Sequence, residues 1–153
     1  MALVLLTGGA GYIGSHTALE LLDAGYEVVI VDNFSNSSPL VMERLEQITG
    51  RTLACERGDV RDQQFMGELF ATYAIDAVIH FAALKAVGES CAKPLAYFDN
   101  NISGTILLLR VMREAGCRNL VFSSSATVYG DPDRCPITED APLRVTNPYG
   151  RTK

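Results

Sequence analysis

The sequence of 153 residues contains no tryptophan, only two histidines and only four cysteines. Cys55, Cys91, Cys117 and Cys135 stand far apart and form no C-x-x-C pair, and neither His16 nor His80 has a second metal-ligand type spaced beside it. That pattern excludes a zinc site and a disulfide framework and leads us to expect reduced thiols and a cytoplasmic chain. Charge is sparse as well: 13 basic and 18 acidic residues, a formal net charge of −5, are scattered without runs. No basic face is offered to nucleic acid or to an anionic membrane. The apolar opening Met1–Leu6 has no positive region before it, and Thr7-Gly8-Gly9 interrupts it. We therefore expect it to be neither a signal segment nor a membrane span, which needs about 18 apolar residues in a row. The Asn-x-Ser matches at Asn33, Asn36 and Asn101 have no glycosylation meaning in such a compartment.

What the chain does have is apolar content, 48%, enough for the core of one domain spanning residues 1–153. Short runs rich in Val, Ile and Leu recur between amphipathic stretches without polar alternation, the pattern of parallel strands buried on both faces. Strands are expected at Leu3–Thr7, Glu27–Asp32, Leu53–Arg57, Ala77–His80 and Asn119–Ser124. Helices are expected at Tyr12–Ala24, Val41–Thr49, Arg61–Tyr73 and Leu95–Glu114. Ile13, Thr17, Leu21 and Ala24 share a stripe of the first helix, and Gly25 supplies its left-handed stop. Repeated strand-helix-strand units imply right-handed crossovers and an α/β, doubly wound parallel sheet. Residues Gly130 to Asn147 read as a loop, after which Asn147 caps a helix with Pro148 in its first turn.

Gly8, Gly11 and Gly14 recur at three-residue spacing between the first strand and first helix. Such glycines permit a tight turn, a close backbone approach to a pyrophosphate and close helix-sheet packing, while the helix start offers N–H groups to the anion. Asp32 ends the second strand at about the 20-residue distance at which a carboxylate can receive ribose hydroxyls. No arginine follows it to hold a 2′-phosphate, so NAD is expected rather than NADP. Asp59 and Val60 can meet the adenine edge. Phe81, Ala82, Ala83, Leu84 and Lys85 can run along the cofactor, the alanines leaving room and Lys85 bringing positive charge. His16 and His80 read as packing or hydrogen-bonding residues rather than ligands or bases.

The fifth strand runs into Ser123-Ser124-Ser125, and Tyr149-Gly150-Arg151-Thr152-Lys153 opens a further helix. Positions i and i+4 share a helix face, which sets Lys153 beside the Tyr149 phenol. An ordinary phenol is a poor base at neutral pH; a neighbouring ammonium favours its phenolate. Ser125, at the carboxyl edge of the sheet, can hydrogen-bond a reacting hydroxyl.

The glycine turn, Asp32, Asp59, the string Phe81 to Ser90, Asp99-Asn100-Asn101, the string Ser123 to Gly130 and Tyr149-x-x-x-Lys153 resemble, in order and spacing, those of the UDP-glucose 4-epimerases. These form a branch of the extended short-chain dehydrogenase/reductases, and the resemblance covers the entire chain. It implies a Rossmann-type NAD-binding domain and tightly held NAD. It also implies cofactor contacts from Tyr12, Ile13, Asn33, Phe34, Ser35, Asn36, Ser37, Asn100, Ser125, Tyr149 and Lys153. In the implied reaction Tyr149 takes the proton of the sugar 4-hydroxyl with help from Ser125, hydride passes to NAD, and the 4-keto sugar receives it back on the other face. Lys85, Ser125 and Tyr149 would touch the UDP-sugar. The family's members are much longer, so the chain is expected to lack the last strands and the substrate domain, to be inactive alone, and to belong to a homodimeric parent. Nucleotide-sugar 4,6-dehydratases are the alternative on the same fold. They place an Asp-Glu pair between the serine or threonine and Val-Tyr-Gly, where this chain has Ala126 and Thr127.

Overall fold

The computed structural model describes all 153 residues, which divide into two compact units: residues 1–82 with 105–123, and residues 83–104 with 124–153.

The first unit is built on five parallel strands, β1 (Leu3–Thr7), β2 (Glu27–Asp32), β3 (Ala54–Arg57), β4 (Ala77–His80) and β5 (Asn119–Phe122), in the order β3-β2-β1-β4-β5. β1 is central and apolar on both faces, so its alternate side chains feed two cores. On one face Leu5, Val29, Val31 and Val78 meet Met66 and Leu69 of α3 (Gln63–Thr72) and Leu108, Val111 and Met112 of α6 (Gly104–Glu114). On the other, Val4, Leu6, Val28 and Ile30 meet Ala18 of α1 (Tyr12–Asp23) and Leu45 of α2 (Leu40–Thr49). Each large side chain buried this way contributes about 1.5–3 kcal/mol. The doubly wound expectation holds, and β1, β2 and β4 have the limits read from sequence. Gly25, at φ 87°, stops α1 as expected.

The stripe on α1 needs correction. Its buried residues are Gly14 and Ala18, with Leu21 half-buried, whereas Ile13 is 50% exposed and Ala24 is exposed. The small residues win the inner face because a close helix-sheet approach leaves no room for an isoleucine. β5 also stops at Phe122, two residues early, because the chain leaves the ladder once the Ser123 N–H has bonded the His80 carbonyl.

The second unit begins with α4 (Val87–Ala92), which the sequence reading did not foresee, and α5 (Pro94–Tyr97). The single long helix expected from Leu95 onward is interrupted by a π-helical turn at Phe98–Ser103 before α6 begins. A 3-10 turn, Ala126–Tyr129, follows β5, and α7 (Pro148–Arg151) is capped as expected: the Asn147 side chain accepts from the Gly150 N–H at 2.8 Å, and Pro148 is in the first turn. No helix is long and apolar enough to cross a membrane, and none of the four cysteines is paired.

Candidate active site

In the first unit, the glycine turn is tight for reasons visible atom by atom. Gly8 has φ 68°, and a Cβ there would lie 2.7 Å from the Ala82 nitrogen. At Gly14 it would lie 2.6 Å from both the Gly8 carbonyl oxygen and the Gly9 Cα, so α1 rests directly on the turn. Gly11 differs, since a Cβ there would meet only the Gly8 oxygen, at 3.2 Å. The first turn of α1 has no side-chain cap and no acidic residue. The space before it is thus bounded by backbone, with N–H groups directed outward, as an anion requires. Tyr12, 82% exposed, and Ile13 flank this start.

Asp32 is buried, and its Oδ2 accepts from the Ala10 N–H at 3.0 Å, while Oδ1 accepts from the Phe34 N–H at 2.9 Å and the Ser37 hydroxyl at 2.8 Å. A carboxylate has about four acceptor positions, so one remains on Oδ2 for a ligand hydroxyl. The same residue therefore shapes the turn and keeps an acceptor in hand. Asn33, Ser35 and Asn36 are exposed, and the Asn33 Oδ1 accepts from the Ser35 N–H.

Asp59 is more fully engaged. Arg61 reaches it through its backbone N–H, Nε and Nη2 at 2.8–2.9 Å, and Asn33 donates at 3.1 Å. The Arg61 guanidinium holds the Asp59 carboxyl well below the ordinary carboxylate range, against a partial burial that pushes it up; the Arg61 N–H and Asn33 add to the lowering. Val60 belongs to the core, as does Phe81, whose N–H bonds the Thr7 carbonyl. His80 is buried, with its ring nitrogens on the Thr7 and Thr105 hydroxyls, and His16 stacks edgewise on Tyr12 at 4.9 Å.

In the second unit, Tyr149 is buried with its ring edge against Tyr97 at 6.5 Å and its backbone N–H on the Ser90 hydroxyl at 3.1 Å. Every fully buried side-chain polar atom has a partner, and the Tyr149 hydroxyl makes no hydrogen bond, so that hydroxyl is the part of the side chain reaching solvent. Tyr97 is itself fixed, accepting from the Ala86 N–H and donating to Glu89. Lys153 lies beyond α7 in a tighter turn, its N–H on the Gly150 carbonyl at 3.2 Å. α7 spans Pro148–Arg151, so Tyr149 lies within it and Lys153 follows two residues after its last residue. Burial first, and the Lys85 ammonium second, bring Lys153 down to about 8. Lys85 is lowered too, by desolvation, although its residue surface is largely exposed.

Ser125 is half-buried, and its Oγ accepts from both the N–H and the hydroxyl of Thr127, at 3.2 and 2.9 Å. With both lone pairs engaged, its O–H is left as a donor. Ala83 and Leu84 are half-buried, and both backbone polar groups of Leu84 are taken by the Asn101 side chain, at 2.8 and 3.0 Å. Asn101 also donates to Thr152 at 2.8 Å and receives the Asn100 amide. Asn101 and Thr127 were missed as site residues. Ser125-x-Thr127 carries a readable local signal, a serine able to cap a turn; nothing in the sequence distinguishes Asn101 from Asn100.

The model of the family described as GDP-mannose 4,6 dehydratase matches residues 5–153. The chain is 56% identical over 153 residues to UDP-glucose 4-epimerase 2 of Arabidopsis thaliana, covering 98% of this chain and 44% of that protein. It is 56% identical over 150 residues to the UDP-glucose 4-epimerase of Bacillus subtilis, with the same coverages. The crystal structure of the Bifidobacterium longum UDP-glucose 4-epimerase, in complex with NAD+ and UDP, superimposes with a TM-score of 0.97 at 56% identity, over 99% of this chain and 46% of that one. The chain spans under half the length of these relatives. It belongs to the GDP-mannose 4,6 dehydratase family and, within it, is closely similar to the UDP-glucose 4-epimerases.

Proposed function

We propose that the whole protein interconverts UDP-glucose and UDP-galactose with bound NAD, and that this chain contributes the cofactor-binding part and the acid-base residues. The observation that carries the reading is the Ser125 hydroxyl, left by Thr127 with only a proton to give, in the same unit as a Tyr149 hydroxyl that reaches solvent. NAD fits the first unit. The uncapped start of α1 suits a pyrophosphate and the remaining Asp32 acceptor suits a ribose hydroxyl. When bound, NAD supplies reversible hydride acceptance.

The chain's own residues do the rest. Tyr149 takes the proton from the sugar 4-hydroxyl and later returns it, and Ser125 donates to the same oxygen as it gains carbonyl character. Lys153 and Lys85 bring positive charge to the second unit, which favours a polarised sugar oxygen. We assign the remaining contacts with cofactor to Tyr12, Ile13, Phe34, Ser37, Ala82, Ala83, Lys85 and Asn100, and contact with UDP-sugar to Lys85. Ala126 and Thr127 supply no carboxylate for elimination, which favours epimerisation over dehydration. The free cysteines favour a reducing, cytoplasmic setting, and the exposed Leu95 and Phe98 of the second unit favour a homodimer.

The test measures UDP-galactose conversion by the whole protein, with NAD titrated against this chain separately. Tyr149→Phe abolishes turnover and keeps the cofactor if the reading holds; wild-type turnover in that variant overturns it.

A further inference from the structure

Three observations within the second unit converge on Thr127. Its N–H and hydroxyl both donate to the Ser125 Oγ, at 3.2 and 2.9 Å. Its carbonyl is the surface against which Gly150 lies: a Cβ on Gly150 would come within 2.9 Å of the Thr127 oxygen and 3.3 Å of its Oγ1. Gly150 is in turn the residue after Tyr149, and its N–H is held by the Asn147 cap at 2.8 Å.

We propose that Thr127 and Gly150 form a positioning pair, in which Thr127 orients the Ser125 proton and the bare backbone of Gly150 seats the Tyr149 turn against it. Neither residue touches substrate in this scheme. Thr127 acts through Ser125 in two ways. It fixes the hydroxyl by two bonds, and it fills both acceptor positions, so the serine can meet a sugar oxygen only as a donor. A free serine hydroxyl could instead accept from the sugar O–H and compete with Tyr149 for the same proton. Gly150 acts by absence. Tyr149 and Ser125 must reach one oxygen at hydrogen-bond distance, about 3 Å. Any side chain between α7 and the 3-10 turn separates the two segments that carry them.

The two contributions are separable by substitution. Thr127→Val keeps size and the N–H bond but loses the hydroxyl; Thr127→Ser keeps the hydroxyl and loses only a methyl. Gly150→Ala leaves every hydrogen-bonding group in place and adds one methyl that meets backbone, which cannot swing aside.

The proposal rests on the epimerase reading, and the experiment separates the two. In the whole protein, kcat and KM for the UDP-sugar are measured for the wild type, Thr127→Val, Thr127→Ser and Gly150→Ala, with NAD content and crystal structures of each. A wild type with no epimerase activity overturns the functional reading; the structures then decide the pair by themselves, through the Ser125 rotamer and the distance of Tyr149 from it. Thr127→Val should lower kcat about tenfold, the worth of one hydrogen bond, with KM and NAD content nearly unchanged and the Ser125 hydroxyl turned or split between rotamers. Thr127→Ser should restore both. Gly150→Ala should lower kcat further, with α7 displaced from Thr127 and NAD retained. A Thr127→Val protein with wild-type kcat and an unmoved Ser125, or a Gly150→Ala protein with an unshifted Tyr149, overturns the pair.

Discussion

The Asp32 carboxylate accepts a hydrogen bond from the Ala10 backbone N–H at 3.0 Å, so the residue expected to receive the ribose also braces the glycine turn. Asp32→Ala should therefore do two things at once. Three donors, on Ala10, Phe34 and Ser37, lose a charged acceptor, at a cost of about 2 kcal/mol in stability. Discrimination against a 2′-phosphate should also vanish. Two like charges 4 Å apart repel by about 4 kcal/mol at an effective dielectric of 20, which after screening leaves the wild type a preference for NAD of roughly a hundredfold. Paired titrations with NAD and NADP check this; an unchanged affinity ratio in the variant removes Asp32 from cofactor selection.

Gly14 and Gly11 should separate folding from binding. A methyl at Gly14 meets backbone at 2.6 Å, and overpacking of that kind costs about 1–3 kcal/mol, a fall in Tm of about 5 °C. A methyl at Gly11 meets one oxygen at 3.2 Å, so Gly11→Ala should lower Tm less than Gly14→Ala does. It should nonetheless bind NAD roughly tenfold more weakly, because the methyl holds the pyrophosphate off the N–H groups. Thermal melts beside NAD titrations decide; wild-type affinity in Gly11→Ala moves the anion away from this turn.

The sheet was legible because burial on both faces leaves a compositional mark that needs no partner to be recognised: Val28 to Val31 carry the unbroken apolar run of an interior strand. The glycine turn and Asp32 were legible for a related reason, as backbone geometry restricts which residues can stand there. The second unit was less so. α4 is six residues long with Gly88 inside it, too short for a periodic signal. The π-helical turn that brings Asn101 to Leu84 and Thr152 depends on contacts distant in sequence, which no local pattern announces.

Asp59 gives an acid-side prediction. Its folded value lies below the ordinary 3.8, so its contribution to stability is complete above about pH 4 and is lost only as pH falls through the depressed folded value. The carboxyl should still be ionised at pH 3, as followed by the carbon chemical shift of its side chain. Arg61→Ala should move the titration back up toward 3.8. Because the Arg61 side chain is 40% exposed, the same variant should cost under about 1 kcal/mol at neutral pH. A titration indifferent to Arg61 assigns the depression to another cause.

Lys153 gives the alkaline counterpart, and here the sign reverses. Its ammonium falls from the ordinary 10.5 to about 8, chiefly through burial and secondly through Lys85. The charged form is thus disfavoured in the folded chain, which sheds the proton first. Between about pH 8 and 10.5 the unfolded chain holds more protons, and stability should rise with pH across that window, while below it the penalty for the buried charge is constant. Lys85→Met removes the smaller cause only. The Lys153 titration should climb part of the way back and remain below 10.5, because burial persists. Amine-specific acylation read by mass spectrometry, with the exposed Lys93 as internal reference, resolves the two lysines across pH 7 to 10. At neutral pH Lys153 is still mainly an ammonium and keeps its positive charge in the second unit. Above about 8 that charge is lost, so turnover by the whole protein should decline on this limb, and at higher pH in Lys85→Met. Identical acylation curves for Lys153 with and without Lys85 would show that the two ammoniums do not sense each other, leaving burial alone to set the value.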